Sequence, residues 1–224
     1  MKNQFLMAAL LICSIGIAQV KSQSKTASKP LQYGLKLGIN SAKLTNSDGG
    51  VTASPRIGIN MGSFLNYRFT EKFAFQPELL YTTQGIINKG TVEGTSIKIT
   101  YKLDYIALPL MMKFYPAKDF NLEFGPQVGF NVKKELEVKA NGQSQSFDLD
   151  DFFSSNGIEA KTNTVDFALN FGLGYEIANG LSLNGRYTLG LTKVFEGADV
   201  VDENGNVQKV KNSVFTFGLG YTFK

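Results

Sequence analysis

From Leu31 onward, apolar and polar side chains alternate with a period of two, and the same period returns to the end of the chain. Leu31, Tyr33, Leu35, Leu37 and Ile39 share one face, while Gln32, Gly34, Lys36, Gly38 and Asn40 share the other, as expected of a β-strand with two different environments on its two sides. Ile57, Ile59, Met61 and Leu65 likewise oppose Arg56, Gly58, Asn60 and Gly62. Phe73, Phe75, Leu79 and Tyr81 oppose Ala74, Gln76, Glu78 and Thr82, and Leu122, Phe124, Val128 and Phe130 oppose Glu123, Gly125, Gln127 and Asn131. With further strands over 164–177, 181–193 and 213–223, the pattern predicts about eight strands.

One strand breaks phase. From Ile97 to Tyr105 the odd positions are apolar, whereas Ile106, Leu108, Leu110, Met112 and Phe114 put the apolar side on even positions. A bulge near Asp104 to Ala107 would reset the register, turning Lys113 and Pro109 to the polar side. Keeping Lys113 on a lipid face would instead cost roughly 2–4 kcal/mol at mid-membrane.

Connections of about 14, 13, 32 and 19 residues alternate strictly with links of about three to five, as in membrane barrels with short periplasmic turns and long external loops. The fold class that follows is all-β: a single antiparallel up-and-down transmembrane β-barrel over residues 31–224, with both termini periplasmic. A soluble lipocalin-like barrel would show the same alternation with its faces exchanged. The polar face here carries many glycines and charges, too little apolar volume for a packed core.

The ends of the chain fit an outer-membrane address. Lys2 followed by the apolar run Phe5–Ile17, with small residues at Gly16 and Ala18, predicts a cleaved signal over 1–18, the run being short for a spanning helix. A retained anchor is the other reading, and Ile12 before Cys13 argues against lipidation. Residues 19–30 are polar and aperiodic, a flexible lead-in. Thr216, Gly218, Tyr221 and Phe223 in the last strand resemble the C-terminal signal that barrel-assembly machinery takes up.

Composition excludes more chemistry than it suggests. The chain has no histidine and one cysteine, Cys13, which leaves with the signal. Zinc hydrolase sites and serine triads lack their ligands and their base, so no cofactor and no enzyme activity are expected. The formal net charge of +4 is spread along the chain, which suggests no nucleic-acid arm.

The segments Phe75-Gln76-Pro77-Glu78-Leu79-Leu80-Tyr81, Leu103-Asp104-Tyr105-Ile106-Ala107-Leu108-Pro109-Leu110, Gly125-Pro126-Gln127-Val128-Gly129 and Gly172-Leu173-Gly174-Tyr175 followed by Arg186-Tyr187-Thr188-Leu189-Gly190-Leu191 resemble, in order, the PorT-like "porin family" of outer-membrane β-barrel proteins. The resemblance implies a barrel of about eight strands with a signal peptide, and a link to protein secretion for one member type. It implies no catalytic or ligand residues. Expected partners are outer-membrane lipids, the assembly machinery during insertion, and an envelope or secretion protein.

Two groups of residues remain as candidates. Lys36, Arg56, Glu78, Glu123, Asp166, Glu176 and Arg186, with Lys102 and Asp104 near the predicted bulge, fall on the lumenal face. Their mixed signs predict pairing across a lumen too narrow for an aqueous channel, that is, a charge plug; an ion path is the functional alternative. In the longest loop, 132–163, Asp148, Asp150, Asp151, Phe152 and Phe153 could dock a partner or bind calcium, or form a short acidic helix over the barrel mouth. The second long loop, 194–212, contains Asp202-Glu203-Asn204-Gly205-Asn206, which lacks the closing glutamate of a calcium loop. Gly172-Leu173-Gly174 is strand glycine without the third glycine of a dinucleotide site.

Overall fold

A computed structural model of the chain describes residues 31–45, 52–92, 94–197, 200–201 and 207–223. The expected signal at 1–18, the lead-in at 19–30 and the Asp202–Asn206 segment lie outside the described residues.

Eight antiparallel strands close into a ring: β1 (Gln32–Leu44), β2 (Thr52–Arg68), β3 (Phe73–Val92), β4 (Thr95–Phe114), β5 (Phe120–Ala140), β8 (Val165–Glu176), β9 (Leu181–Gly190) and β13 (Asn212–Thr222). Each strand pairs with its neighbour, and β1 meets β13 from Gly34↔Thr222 to Leu44↔Asn212. Each of the eight ring strands has a paired neighbour on both sides, which is what a sheet in hydrocarbon requires. Between β5 and β8 lie a short strand β6 (Gln143–Asp148), a helix α1 (Leu149–Ser155) and β7 (Lys161–Thr162), which pairs with β10 (Phe195–Glu196). A small hairpin, β11 (Val200–Val201) with β12 (Val207–Gln208), precedes β13. Among the described residues no helix is long and apolar enough to cross a membrane.

The outward face of the ring is the apolar one. Leu35, Leu37, Ile39, Ile57, Phe124, Phe167, Phe171, Phe215 and Phe217 are all exposed. At the end carrying the short turns, aromatic rings gather: Tyr33 and Phe223 lie 5.3 Å apart, Tyr221 and Phe223 5.3 Å, and Phe73 and Phe114 5.2 Å. Thr216 and Gly218 of the terminal strand are buried inward and Tyr221 is exposed outward.

Two expectations are corrected. The 13-residue connection between the third and fourth strands is absent; β3 runs to Val92 and β4 resumes at Thr95, so most of that segment is hairpin strand. The bulge expected in β4 is also absent, for β4 pairs with β3 in one register from Leu80↔Ala107 to Val92↔Thr95. The register shift lies in the partner strand instead: Asp104 pairs with Lys133 and Tyr105 with Asn131, so Val132 of β5 is the extra residue.

Both strands cross the same boundary by opposite means. In β4 the odd positions face inward throughout: Met111, Pro109, Ala107, Tyr105 and Leu103 are buried, and Leu108 and Leu110 are exposed. Sequence, not geometry, changes phase, because beyond Tyr105 the outward side turns from Ile106, Leu108 and Leu110 to Asp104, Lys102 and Lys98 while the inward side stays apolar. In β5 the even positions stay apolar, and the Val132 bulge turns them from the lipid face at Phe130 to the interior at Leu136. These two strands thus extend past the apolar belt with their faces exchanged. The core there is Leu44, Ile86, Leu103, Tyr105, Leu136, Leu149, Val194 and Val210, with Tyr101, Phe152, Phe153 and Phe195 packed against it.

Candidate functional site

The lumen inside the apolar belt is polar because its parity is polar, and four strands bring charge to one level. Arg186 of β9 reaches across to Glu78 of β3, four strands away in the ring of eight and therefore opposite it. The guanidinium engages Glu78 in a fork, Nη1 to Oε2 at 2.8 Å and Nη2 to Oε1 at 2.9 Å. Nε and Nη2 also donate to Glu123 Oε1 at 3.0 and 2.8 Å. Lys36 Nζ donates to Glu78 Oε1 at 3.0 Å, and Gln76, held by Asn66, donates to the same oxygen at 2.7 Å. Bidentate arginine–carboxylate pairing is among the strong hydrogen-bonded ion pairs, and the Glu78 and Glu123 side chains are fully shielded from solvent. Gly172 makes room for this knot, since a Cβ there would lie 2.9 Å from Glu123 Oε1.

Of the seven lumenal candidates, the structure brings these four together: Lys36, Glu78, Glu123 and Arg186. The other three sit elsewhere. Arg56 donates to Gln84 O and contacts Asp104 Oδ1 at 3.4 Å, while Tyr81 donates to Asp104 Oδ2 at 2.7 Å. Asp104 lies on the outward parity of β4 and is corrected from a lumenal position, whereas Arg56 keeps the inward parity of β2, opposite buried Ala42, and meets Asp104 where the β2–β3 ladder shifts register. Asp166 is buried nearer the loop end and accepts from Thr192 Oγ1 at 2.8 Å and Asn212 Nδ2 at 3.3 Å. Glu176 stands at the turn end, where Tyr115 donates to it at 2.6 Å and Arg68, stacked 3.7 Å from the Tyr115 ring centroid, contacts it at 3.5 Å. Lys102 also leaves the lumen, for it bonds Glu135 on the outer face at 2.7 Å.

Above the knot the lumen is filled by neutral polar side chains. Asn40 donates to Thr82 at 2.8 Å and accepts from Thr216 at 2.8 Å; Thr188 donates to Asn170 at 2.6 Å. Higher still, the apolar core and α1 close the loop end. Asp148 is the helix N-cap, accepting from the backbone N–H of Asp150 and Asp151, a reciprocal use of the otherwise unpaired amides. Asp150 pairs with Lys134 and accepts from Thr162 N at 2.8 Å. Phe152 and Phe153 are half-buried, and the Phe153 ring lies 5.8 Å from that of Phe195. The acidic and aromatic residues of this loop therefore form the short helix over the mouth, with Asp148 and Asp151 exposed. Among the described residues no cluster of acidic, histidine or cysteine side chains has the geometry of a metal site.

On the outer face of the extension, Lys102 and Lys133 flank Glu135. Hydrogen bonds from Lys102 first and Lys133 second pull the Glu135 carboxyl down to about 2.

Lys113 was not singled out as a lumenal charge, although its inward direction was expected. It lies opposite Glu123 in the β4–β5 ladder, with Nζ 3.7 Å from Glu123 Oε2. Below it, toward the turn end, opens a cavity of about 240 Å³.

Solved structures similar in fold include Ail, the attachment invasion locus protein of Yersinia pestis, at 13% identity and TM-score 0.43 over 86% of this chain and 98% of that one. Neisserial surface protein A aligns at 14% identity and TM-score 0.47 over 87% and 100%, and OprG from Pseudomonas aeruginosa at 16% and 0.37 over 86% and 94%. No curated protein matches. The family described as "Outer membrane protein beta-barrel domain" matches residues 17–196, and the chain, a closed eight-stranded barrel with an apolar belt outside and a polar lumen inside, belongs to that family of the outer membrane.

Proposed function

We propose that this protein is a closed, non-enzymatic barrel that serves as a structural or docking element of the outer membrane. In this reading both termini face the periplasm, and the capped segment formed by the long connections is presented outside. The PorT-like resemblance favours a place beside a secretion or envelope-assembly complex. The observation that carries the closed reading is the Arg186 fork to Glu78, spanning the lumen at 2.8 and 2.9 Å with Glu123 on its flank. In an eight-stranded barrel, whose interior is about wide enough for side chains to fill, such a bridge leaves no continuous water path. The second reading, passage or binding of a small solute, is favoured by the cavity of about 240 Å³ at the turn end.

Conductance of the refolded protein in a planar bilayer separates the two. The closed reading expects background conductance in the unmodified protein and leak in Glu123→Gln and Arg186→Gln. Steady open-pore conductance in the unmodified protein overturns it and makes the solute reading the better one.

A further inference from the structure

We infer that the turn-end cavity is a binding site for a small oxyanion, a phosphate or a short carboxylate, held chiefly by Lys113. The inference is independent of whether the lumen conducts, since it concerns only the pocket below the Arg186 knot.

Three observations converge. The first is charge balance. At the level of the knot, Lys36, Lys113 and Arg186 meet two carboxylates, Glu78 and Glu123. Arg186 takes both carboxylates and Lys36 takes Glu78, so three cations meet two carboxylates and the knot carries one positive charge in excess; Lys113 is the cation held most loosely, facing only Glu123 Oε2. Its 3.7 Å approach to Glu123 is too long for a hydrogen bond. Asp166, the next inward carboxylate up the wall, pairs at Gly129, six residues along β5 from Glu123, or about 20 Å by strand rise. The excess charge at the knot is largely shielded from water, and a further anion in the cavity would balance it.

The second is that the excess charge faces space. Lys113 and Lys36 both line the cavity of about 240 Å³, together with Phe64, Asn66, Gln76 and Asn121. The Lys113 side chain is 12% exposed and that of Lys36 7%, so the pocket holds two ammonium groups at its closed end.

The third is an amide with nothing to bond. Asn121 is 1% exposed, lines the same cavity, and its side-chain oxygen has no hydrogen-bond partner among the described residues. A half-turn about its terminal bond exchanges the oxygen for the NH2 group, which makes the amide a donor in the wall of the cavity that Lys113 also lines. An ammonium, an amide donor and an apolar floor at Phe64 are the parts of a small anion site, in which a few polar groups fix orientation within an otherwise enclosed pocket.

The mouth is guarded by the opposite sign. Asp119 and Glu176 both line the cavity, but Glu176 is held by Arg68 and Tyr115. Asp119 is the carboxylate an entering anion meets, and this gives the inference a test in two directions.

Isothermal titration of the refolded protein in lipid nanodiscs with inorganic phosphate, and separately with malonate, measures binding directly. Saturable binding of at least one of the two anions is expected; whichever binds names the source. Lys113→Gln should weaken that binding by at least about tenfold, about 1.4 kcal/mol, Asp119→Asn should tighten it by about threefold, and Lys118→Gln in the exposed turn should leave it unchanged. If Lys113→Gln does not fold, the tightening by Asp119→Asn decides. No saturable heat with either anion, or binding indifferent to both Lys113→Gln and Asp119→Asn, overturns the site.

Discussion

The apolar belt of this barrel and the extension above it share strands β2 to β5 and obey opposite rules. In the apolar belt, β4 turns Leu108 and Leu110 outward and Lys113 inward; a few residues on, the same strand turns Lys98 and Lys102 outward and Leu103 inward, where it is wholly buried. No geometric break in β4 separates the two. The difference lies in the medium outside: hydrocarbon below, water above. A strand's parity records which side is apolar, and when the surrounding solvent changes, the pattern inverts while the backbone runs on. The neighbour β5 shows the complementary solution, an unchanged sequence parity with a bulge at Val132. Bulges of this kind re-aim side chains, and here one keeps Leu136 in the core.

The sharpest way to break the lower half is at the knot. Arg186→Met leaves Glu78 and Glu123 buried without their shared cation, and barrel stability should fall by roughly 3–5 kcal/mol, measured by urea unfolding in lipid vesicles with gel mobility as the readout. Replacing all five charges of the knot, Lys36, Glu78, Lys113, Glu123 and Arg186, by Met should recover most of that loss, because the cost is one of unpaired charge. In the upper half the comparison predicts hydrophobic sensitivity instead. Leu103→Ala should cost about 2–5 kcal/mol, seen as faster amide exchange in the upper parts of β4 and β5; Leu110→Ala, which keeps its outward place against lipid tails, should cost well under that.

A third variant tests the outward face. Leu108→Lys should destabilise by about 2–4 kcal/mol if the position is near mid-membrane, whereas Lys98, on the same parity higher up, is native. The smallest expected effect is at Glu135. Its folded pKa of about 2 lies below the ordinary 4.5, so its contribution is present above about pH 4.5 and is lost as pH falls toward 2. The pair is partly solvated, so the loss should be no more than about 1 kcal/mol. It should vanish in Glu135→Gln and shrink in high salt, as followed by acid titration of the exchange rates in the upper β4–β5 pair.

Much of the lower half was legible. Alternation in β1, β3 and β5 placed Lys36, Glu78 and Glu123 inward because hydrocarbon on one side leaves the pattern little freedom. Arg56 keeps the inward parity that alternation gives it, opposite buried Ala42; its reach to Asp104, where the β2–β3 ladder shifts register between Pro55 and Asn60, is a contact that alternation does not carry. The β4 phase break was visible but had two physical causes with one signature, a bulge or a change of medium, and periodicity alone does not distinguish them. The β5 bulge left no break to see, because there the bulge and the change of medium cancel in the sequence. A short acidic helix over the mouth at Asp148, Asp150, Asp151, Phe152 and Phe153 was legible as one reading of the loop, but its packing into the apolar core through Leu149, Phe152 and Phe153 depends on contacts distant in sequence.

The two-medium account is tested most directly by a cysteine scan of β4. Cys13 is the one native cysteine, so after its replacement single cysteines at 98, 99, 102, 103, 108 and 110 are read without background. With the protein refolded in vesicles and a membrane-impermeant maleimide added, positions 98 and 102 should label, 99 and 103 should be protected by the apolar core, and 108 and 110 by lipid. Labelling at 99 and 103 with protection at 98 and 102 would mean that β4 itself turns over at a bulge, and would contradict the account.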